Sequence, residues 1–132
     1  MPKARKLISI IDDDHAMREA IDGLVKSVGY VAASVASAEE FLGSRHVRRT
    51  SCLIADIRMP GMSGLELHQR LSASGKPIPT ILITAYPDEG ARKRALAAGV
   101  VGYLSKPFEE VDLLACIRSA LAHASGDGSE GR

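Results

Sequence analysis

Cysteine is scarce in this sequence: Cys52 and Cys116 stand alone within apolar segments. Neither belongs to a C-x-x-C pair, so no zinc or thioredoxin-like motif is present, and both read as buried reduced thiols. An excess of charge of one sign is also missing. Seventeen Lys and Arg against sixteen Asp and Glu leave a formal charge of +1. That balance gives no bulk attraction to nucleic acid or to a membrane. Long apolar runs are lacking as well. The basic start MPKARK leads into a run of only five residues, LISII, before acid intervenes, too short for a secretory signal or a membrane span. A cytoplasmic chain with no membrane partner and no direct nucleic-acid binding is therefore expected.

What is present is a regular alternation. The 132 residues, 45% hydrophobic and 25% charged, suit a single domain. LISII (Leu7–Ile11) is isoleucine-rich and strand-like, and from His15 to Val28 apolar residues recur at helical spacing until Gly29 stops them. YVAASV (Tyr30–Val35) predicts a second strand, after which Ser37 and Glu40 form a capping-box pattern ahead of a short helix. SCLIAD (Ser51–Asp56) predicts a third strand, and RMPGMSG a turn-rich loop with Ser63 positioned to cap the next helix. IPTILIT (Ile78–Thr84), a helix ending at Gly99, VVGYLS and a helix from Glu109 to His123 complete five strands and five helices. Such alternation predicts a doubly wound α/β fold, a five-stranded parallel sheet with helices on both faces. The domain spans 1–124, and SGDGSEGR makes residues 125–132 a flexible C-terminal tail by composition.

Parallel sheets bind ligands at the carboxyl ends of their strands. There the first strand delivers Asp12, Asp13 and Asp14, the third Asp56, the fourth Thr84, and the fifth Ser105 and Lys106. Clustered carboxylates repel, so they call for a cation, and hard oxygen ligands suit Mg²⁺ better than zinc. A lysine and a hydroxyl opposite the metal suit the oxygens of a phosphoryl group, and a strand-end carboxylate supplies a nucleophile. The ordered set predicts Mg²⁺-dependent formation of an aspartyl phosphate.

The pieces IIDDDHAMREAI, YVAASVASAEEFL, CLIADIRMPGMSGLEL, IPTILITAY and RALAAGVVGYLSKPF closely resemble the receiver domains of bacterial two-component response regulators, especially the FixJ type. The resemblance implies a flavodoxin-like sheet of order 2-1-3-4-5 and a signalling switch rather than an enzyme, with self-catalysed phosphoryl transfer and autodephosphorylation only. It implies that Asp56 is the phosphoacceptor. Asp12, Asp13, Asp56 and the backbone carbonyl of Arg58 would hold Mg²⁺, with Thr84 and Lys106 engaging the phosphoryl group. Tyr103 would be an aromatic switch that fills, from outside, space vacated by Thr84, and Pro107 would follow Lys106 through a cis bond. The implied donor is a sensor histidine kinase. The implied output is the surface of the fourth helix, fifth strand and fifth helix, with phosphorylation-dependent homodimerisation. FixJ-type regulators generally carry a DNA-binding domain after the receiver; with none in this sequence, a stand-alone regulator is expected, the alternative being a receiver cut from a DNA-binding regulator.

Other residues receive plainer readings. Asp14 is expected to cap the first helix, and His15 to be an exposed first-turn residue. RHVRR (Arg45–Arg49) reads as a solvated loop before a phosphate or nucleic-acid patch. The chief competing function parses Asp12 and Asp14 as the D-x-D nucleophile motif of a Mg²⁺-dependent phosphatase of the haloacid dehalogenase type. That motif wants a hydroxyl where Ala16 stands, and it leaves Asp56 unexplained.

Overall fold

The computed structural model describes residues 5–130, with side chains described through residue 122. Strands β1 (Leu7–Ile11), β2 (Val31–Val35), β3 (Thr50–Asp56), β4 (Thr80–Thr84) and β5 (Gly102–Ser105) alternate with helices α1 (His15–Ser27), α2 (Ala38–Leu42), α3 (Gly64–Ala73), α4 (Glu89–Ala97) and α5 (Glu110–Glu130). All strand pairs are parallel and the order is β2-β1-β3-β4-β5, as expected.

Strand parity divides the core. Ile11, Leu53, Ala55 and Leu82 join Phe41, Leu67, Leu71 and Ala95 beneath α2, α3 and α4. Ile8, Ile10, Cys52, Ile54, Ile81 and Ile83 join Ile21, Val25, Leu113 and Ile117 beneath α1 and α5. Every residue of β1 and β4 is buried, whereas β2, at the sheet edge, has none fully buried. Central strands covered on both faces need apolar side chains at consecutive positions, which is why LISII shows no alternation.

Element boundaries differ from the sequence reading in physically simple ways. β4 begins at Thr80 rather than Ile78, because Pro77 and Pro79 have no N–H to give the ladder; the carbonyl of Pro79 still accepts from Leu53 N at 2.9 Å. Val100 and Val101 precede β5, and Val101 N already donates to Thr80 O at 2.8 Å. RHVRR is not a loop: Arg45–Arg48 form a single 3-10 turn capped by Ser44. α5 continues to Glu130, past His123, so the segment read as a tail overlaps its last turns as far as the described residues reach. Extending an established helix adds a hydrogen bond per residue without a new nucleus, which offsets the poor propensity of Gly and Ser.

The starts of α2 and α3 carry caps legible in the sequence. Ser63 and Glu66 form a reciprocal capping box on α3, with bonds of 3.1 and 2.8 Å. Ser37 Oγ accepts from Glu40 N at 3.0 Å, but the Glu40 carboxylate turns to Ala36 N rather than to the cap itself.

Candidate functional site

The chain leaves β1 toward β2 on one side and returns to β3 on the other, so the carboxyl ends of β1 and β3 flank the point where the winding reverses. Asp12 and Asp56 stand at that point. Asp12 is 2% exposed and Asp56 8%. The Asp12 carboxylate accepts from Asp14 N at 2.9 Å, and the Asp12 carbonyl accepts from the Arg18 guanidinium at 2.7 Å. Asp56 Oδ1 accepts from Arg58 N at 3.1 Å, which turns the chain immediately after β3.

Lys106 arrives from β5. Its own N–H donates to Thr84 O at 2.8 Å, and the Lys106–Pro107 bond is cis. Its ammonium donates to Asp56 Oδ2 at 2.9 Å and to Asp12 Oδ2 at 3.2 Å. Asp13 is exposed beside them, and Asp12, Asp13 and Asp56 can each bring one oxygen within 4.8 Å of the others.

Burial pushes the Asp12 carboxyl above its ordinary range. The bonds from Asp14 N and Lys106 pull the other way, and the neighbouring charge of Asp56 reinforces the rise. Burial draws Lys106 down, yet its bonds to Asp56 and Asp12 outweigh that, so the ammonium is held above its usual value. Three carboxylates therefore face one permanent cation. The residual negative charge, carried on hard oxygen donors, fits a divalent cation that keeps part of its hydration shell.

Thr84 is buried at the end of β4, and its Oγ accepts from Tyr86 N at 3.0 Å. Leu82 pairs with Tyr103, and Thr84 with Ser105, so Thr84 and Tyr103 share a sheet face. The Tyr103 hydroxyl is buried without a hydrogen-bond partner. The residue as a whole is half-buried and lines a surface hollow with Asp88, Glu89, Arg92 and Ser105. Asp14 caps α1, accepting from Ala16 N at 3.0 Å and Met17 N at 3.4 Å. A residue so occupied does not present the second acid of a D-x-D phosphatase motif to the site, and that alternative is not supported.

Two positioning residues escaped the sequence reading. Arg18 braces the acidic turn from inside α1, and Glu39 of α2 accepts from Met62 N at 2.9 Å, clamping the loop after Asp56. That bond lowers the Glu39 carboxyl. No spacing rule links residues 39 and 62; only the packing of α2 against the loop brings them together. Nearby, Gly61 adopts φ +81°, and a Cβ on Gly64 would lie 2.5 Å from the Asp56 carbonyl oxygen. Glycine at 64 lets α3 start directly under the acidic pocket.

Comparison with known proteins agrees with this geometry. The chain matches the response regulator receiver domain family over residues 8–118. It is 40% identical over 121 residues to the response regulator protein TmoT of Ectopseudomonas mendocina, covering 92% of this chain and 55% of that protein. It is 37% identical over 117 residues to the transcriptional regulatory protein FixJ of Bradyrhizobium diazoefficiens, covering 89% of this chain and 57% of FixJ. The solved structure of the response regulator StyR superposes with a TM-score of 0.87 at 37% identity, covering 96% of this chain and 64% of StyR. The chain spans about half the length of the curated relatives it matches. With acidic pocket, bridging lysine, sheet order and sequence in agreement, the chain belongs to the response regulator receiver domain family of two-component systems.

Proposed function

We propose that Asp56 accepts a phosphoryl group from a phosphohistidine on a partner sensor histidine kinase in the cytoplasm, and that the phosphorylated chain signals through the face formed by α4, β5 and α5. The observation that carries the reading is the Lys106 ammonium, which bridges Asp56 at 2.9 Å and Asp12 at 3.2 Å. One lysine thus orients the acceptor and remains beside the place where phosphoryl oxygens will lie.

In the transfer, an Asp56 carboxylate oxygen bonds to phosphorus as the P–N bond of the donor breaks, and the imidazole leaves with that electron pair. Arg58 N and Lys106 fix the two Asp56 oxygens, so the acceptor enters without searching rotamers. Asp12, Asp13, Asp56 and the Arg58 carbonyl would hold Mg²⁺, which when bound neutralises charge on the transferring group. Lys106 screens the charge of about −1.5 to −2 that an added phosphoryl group brings. Thr84, by exchanging its bond from Tyr86 N for one to a phosphoryl oxygen, would carry the change toward Tyr103. Hydrolysis of the acyl phosphate, assisted by the same residues, would return Asp56. The chain acts as a self-modifying switch and not as an enzyme on an external substrate.

The test is incubation with a small phosphodonor and Mg²⁺, read by intact mass. Wild type is expected to gain one phosphoryl group and Asp56→Asn none, with Asp13→Asn strongly slowed. Wild type that stays unmodified, or a phosphoryl group mapped to Asp12, overturns the proposal.

A further inference from the structure

Because every strand is parallel, all chain segments that lead into strands gather on one edge of the sheet, opposite the acidic pocket. Those segments are residues 5–6, 28–30, 43–49, 74–79 and 98–101. They contain Arg5, Lys6, Arg45, Arg48, Arg49 and Lys76, and no Asp or Glu. All six cations are exposed, and among the described residues none forms an ion pair. The opposite edge holds Asp12, Asp13, Asp14, Asp56 and Asp88, together with acids in the first turns of α2, α3, α4 and α5. In a chain with net charge +1, the segments that lead into the strands are thus basic and the strand ends opposite are rich in acid.

Helix dipoles account for part of this polarity, since helix C-termini lie on the basic edge and favour cations. They do not account for Arg5 and Lys6, which precede a strand. Arg45, Arg48 and Lys76 also line an open groove of about 380 Å³, together with Ser44 and the half-buried Leu42 and Val47. No carboxylate lines it.

We propose that this basic edge is a docking surface for the phosphodiester backbone of duplex nucleic acid. Four of the six cations are arginines, whose planar fork suits phosphate oxygens. Strands β1, β3 and β4 are adjacent, so their leading cations span two inter-strand spacings, roughly 10 Å. At 3.4 Å of rise per nucleotide, that span meets about three phosphates of one strand. The groove offers no aromatic side chain on which unpaired bases would stack, which favours a duplex over a single strand. Contact through phosphates alone carries no sequence preference.

The test uses the 132-residue chain and a fluorescein-labelled 20-base-pair DNA duplex of arbitrary sequence, followed by anisotropy. Binding is expected at low salt and should weaken roughly 40-fold between 50 and 200 mM salt, the dependence for about three phosphate contacts. The triple variant Arg45→Glu/Arg48→Glu/Lys76→Glu should lose binding while keeping its urea midpoint. Arg92→Glu/Lys93→Glu on α4 should bind as wild type, and so should Asp56→Asn, which separates this surface from the phosphoacceptor. No binding at 25 mM salt overturns the proposal, as does equal loss in the α4 variant. Tighter association with phosphatidylglycerol-containing vesicles than with the duplex overturns the assigned partner.

Discussion

Asp12 is placed where its charge is least welcome without a metal: buried, beside Asp56, and sharing one lysine with it. Its raised carboxyl means that its favourable contribution is present below the unfolded value of 3.8 and is lost as pH rises through the folded one. At neutral pH and without Mg²⁺, Asp12→Asn should therefore raise stability by about 1–2 kcal/mol. The same variant should lose the added stability that Mg²⁺ gives wild type. Urea midpoints with and without MgCl₂ check both halves, and a less stable metal-free variant would contradict the assignment of charge strain to Asp12. Cys52 offers a second residue-scale test. Burial pushes its thiol up to about 12 from 9.0, with Cys116 adding to the rise. Stability from the neutral thiol is present below pH 9 and is lost as pH climbs toward 12. By pH 10 wild type should have lost ~1.4 kcal/mol that Cys52→Val retains. Parallel pH–stability curves for the two proteins would show that the thiol does not ionise on unfolding as argued.

The start of α3 and the end of β3 are joined by a loop of seven residues, 57–63, that must return the chain under the acidic pocket while Arg58 N holds Asp56 Oδ1. Ser63 and Glu66 complete the helix start, the Glu39 carboxylate holds Met62 N, and Gly64 leaves room for the Asp56 carbonyl. Gly64→Ala would bring Cβ to 2.5 Å from that oxygen and to 3.0 Å from Leu82 Cδ2. Neither backbone nor a packed leucine yields cheaply, so a loss of about 1–3 kcal/mol is expected, together with slower phosphoryl incorporation because Asp56 moves. Gly23 within α1 is the contrast: a Cβ there meets nothing within 4 Å, and Gly23→Ala should stabilise by about 0.5–1 kcal/mol. Chemical denaturation of both variants decides the matter; equal effects would mean that crowding at residue 64 is relieved elsewhere. α4 differs from its neighbours because Ala95 is its only buried residue. A helix held by so little apolar contact is the element best suited to shift when the pocket beneath its N-terminus changes.

At the scale of the whole molecule, the acidic rim is the proposed phosphoryl acceptor and the face of α4, β5 and α5 the proposed output. Leu96 and Val111 are 41% and 65% exposed there, an apolar presentation that a second copy would cover. With Mg²⁺ and beryllofluoride as a phosphoryl mimic, sedimentation should shift from monomer toward dimer. Arg92→Glu with Leu96→Glu should abolish the shift while leaving phosphoryl incorporation intact. Identical sedimentation of treated and untreated protein at high concentration would remove dimerisation from the mechanism. No described helix is long and apolar enough to cross a membrane.

How much was legible in the sequence varies with the range of the interaction. Local rules settled what is local: isoleucine runs gave central strands, Ser63 with Glu66 gave a helix start, and Asp14 gave a cap. Motif order also placed Asp12, Asp56, Thr84 and Lys106 at strand ends, because a parallel alternation sends every strand end to one rim. Distances were another matter. That Lys106 divides itself between Asp56 and Asp12, that Glu39 clamps Met62, and that the Tyr103 hydroxyl is buried all depend on contacts between elements distant in sequence. The same holds for charge. The sequence alone determined a near-neutral α/β chain with an acidic, lysine-bearing rim; only the tertiary structure gathered Arg5, Lys6, Arg45, Arg48, Arg49 and Lys76 on the opposite edge. Net charge is a sum over residues, whereas the field that a partner meets depends on where the fold puts them.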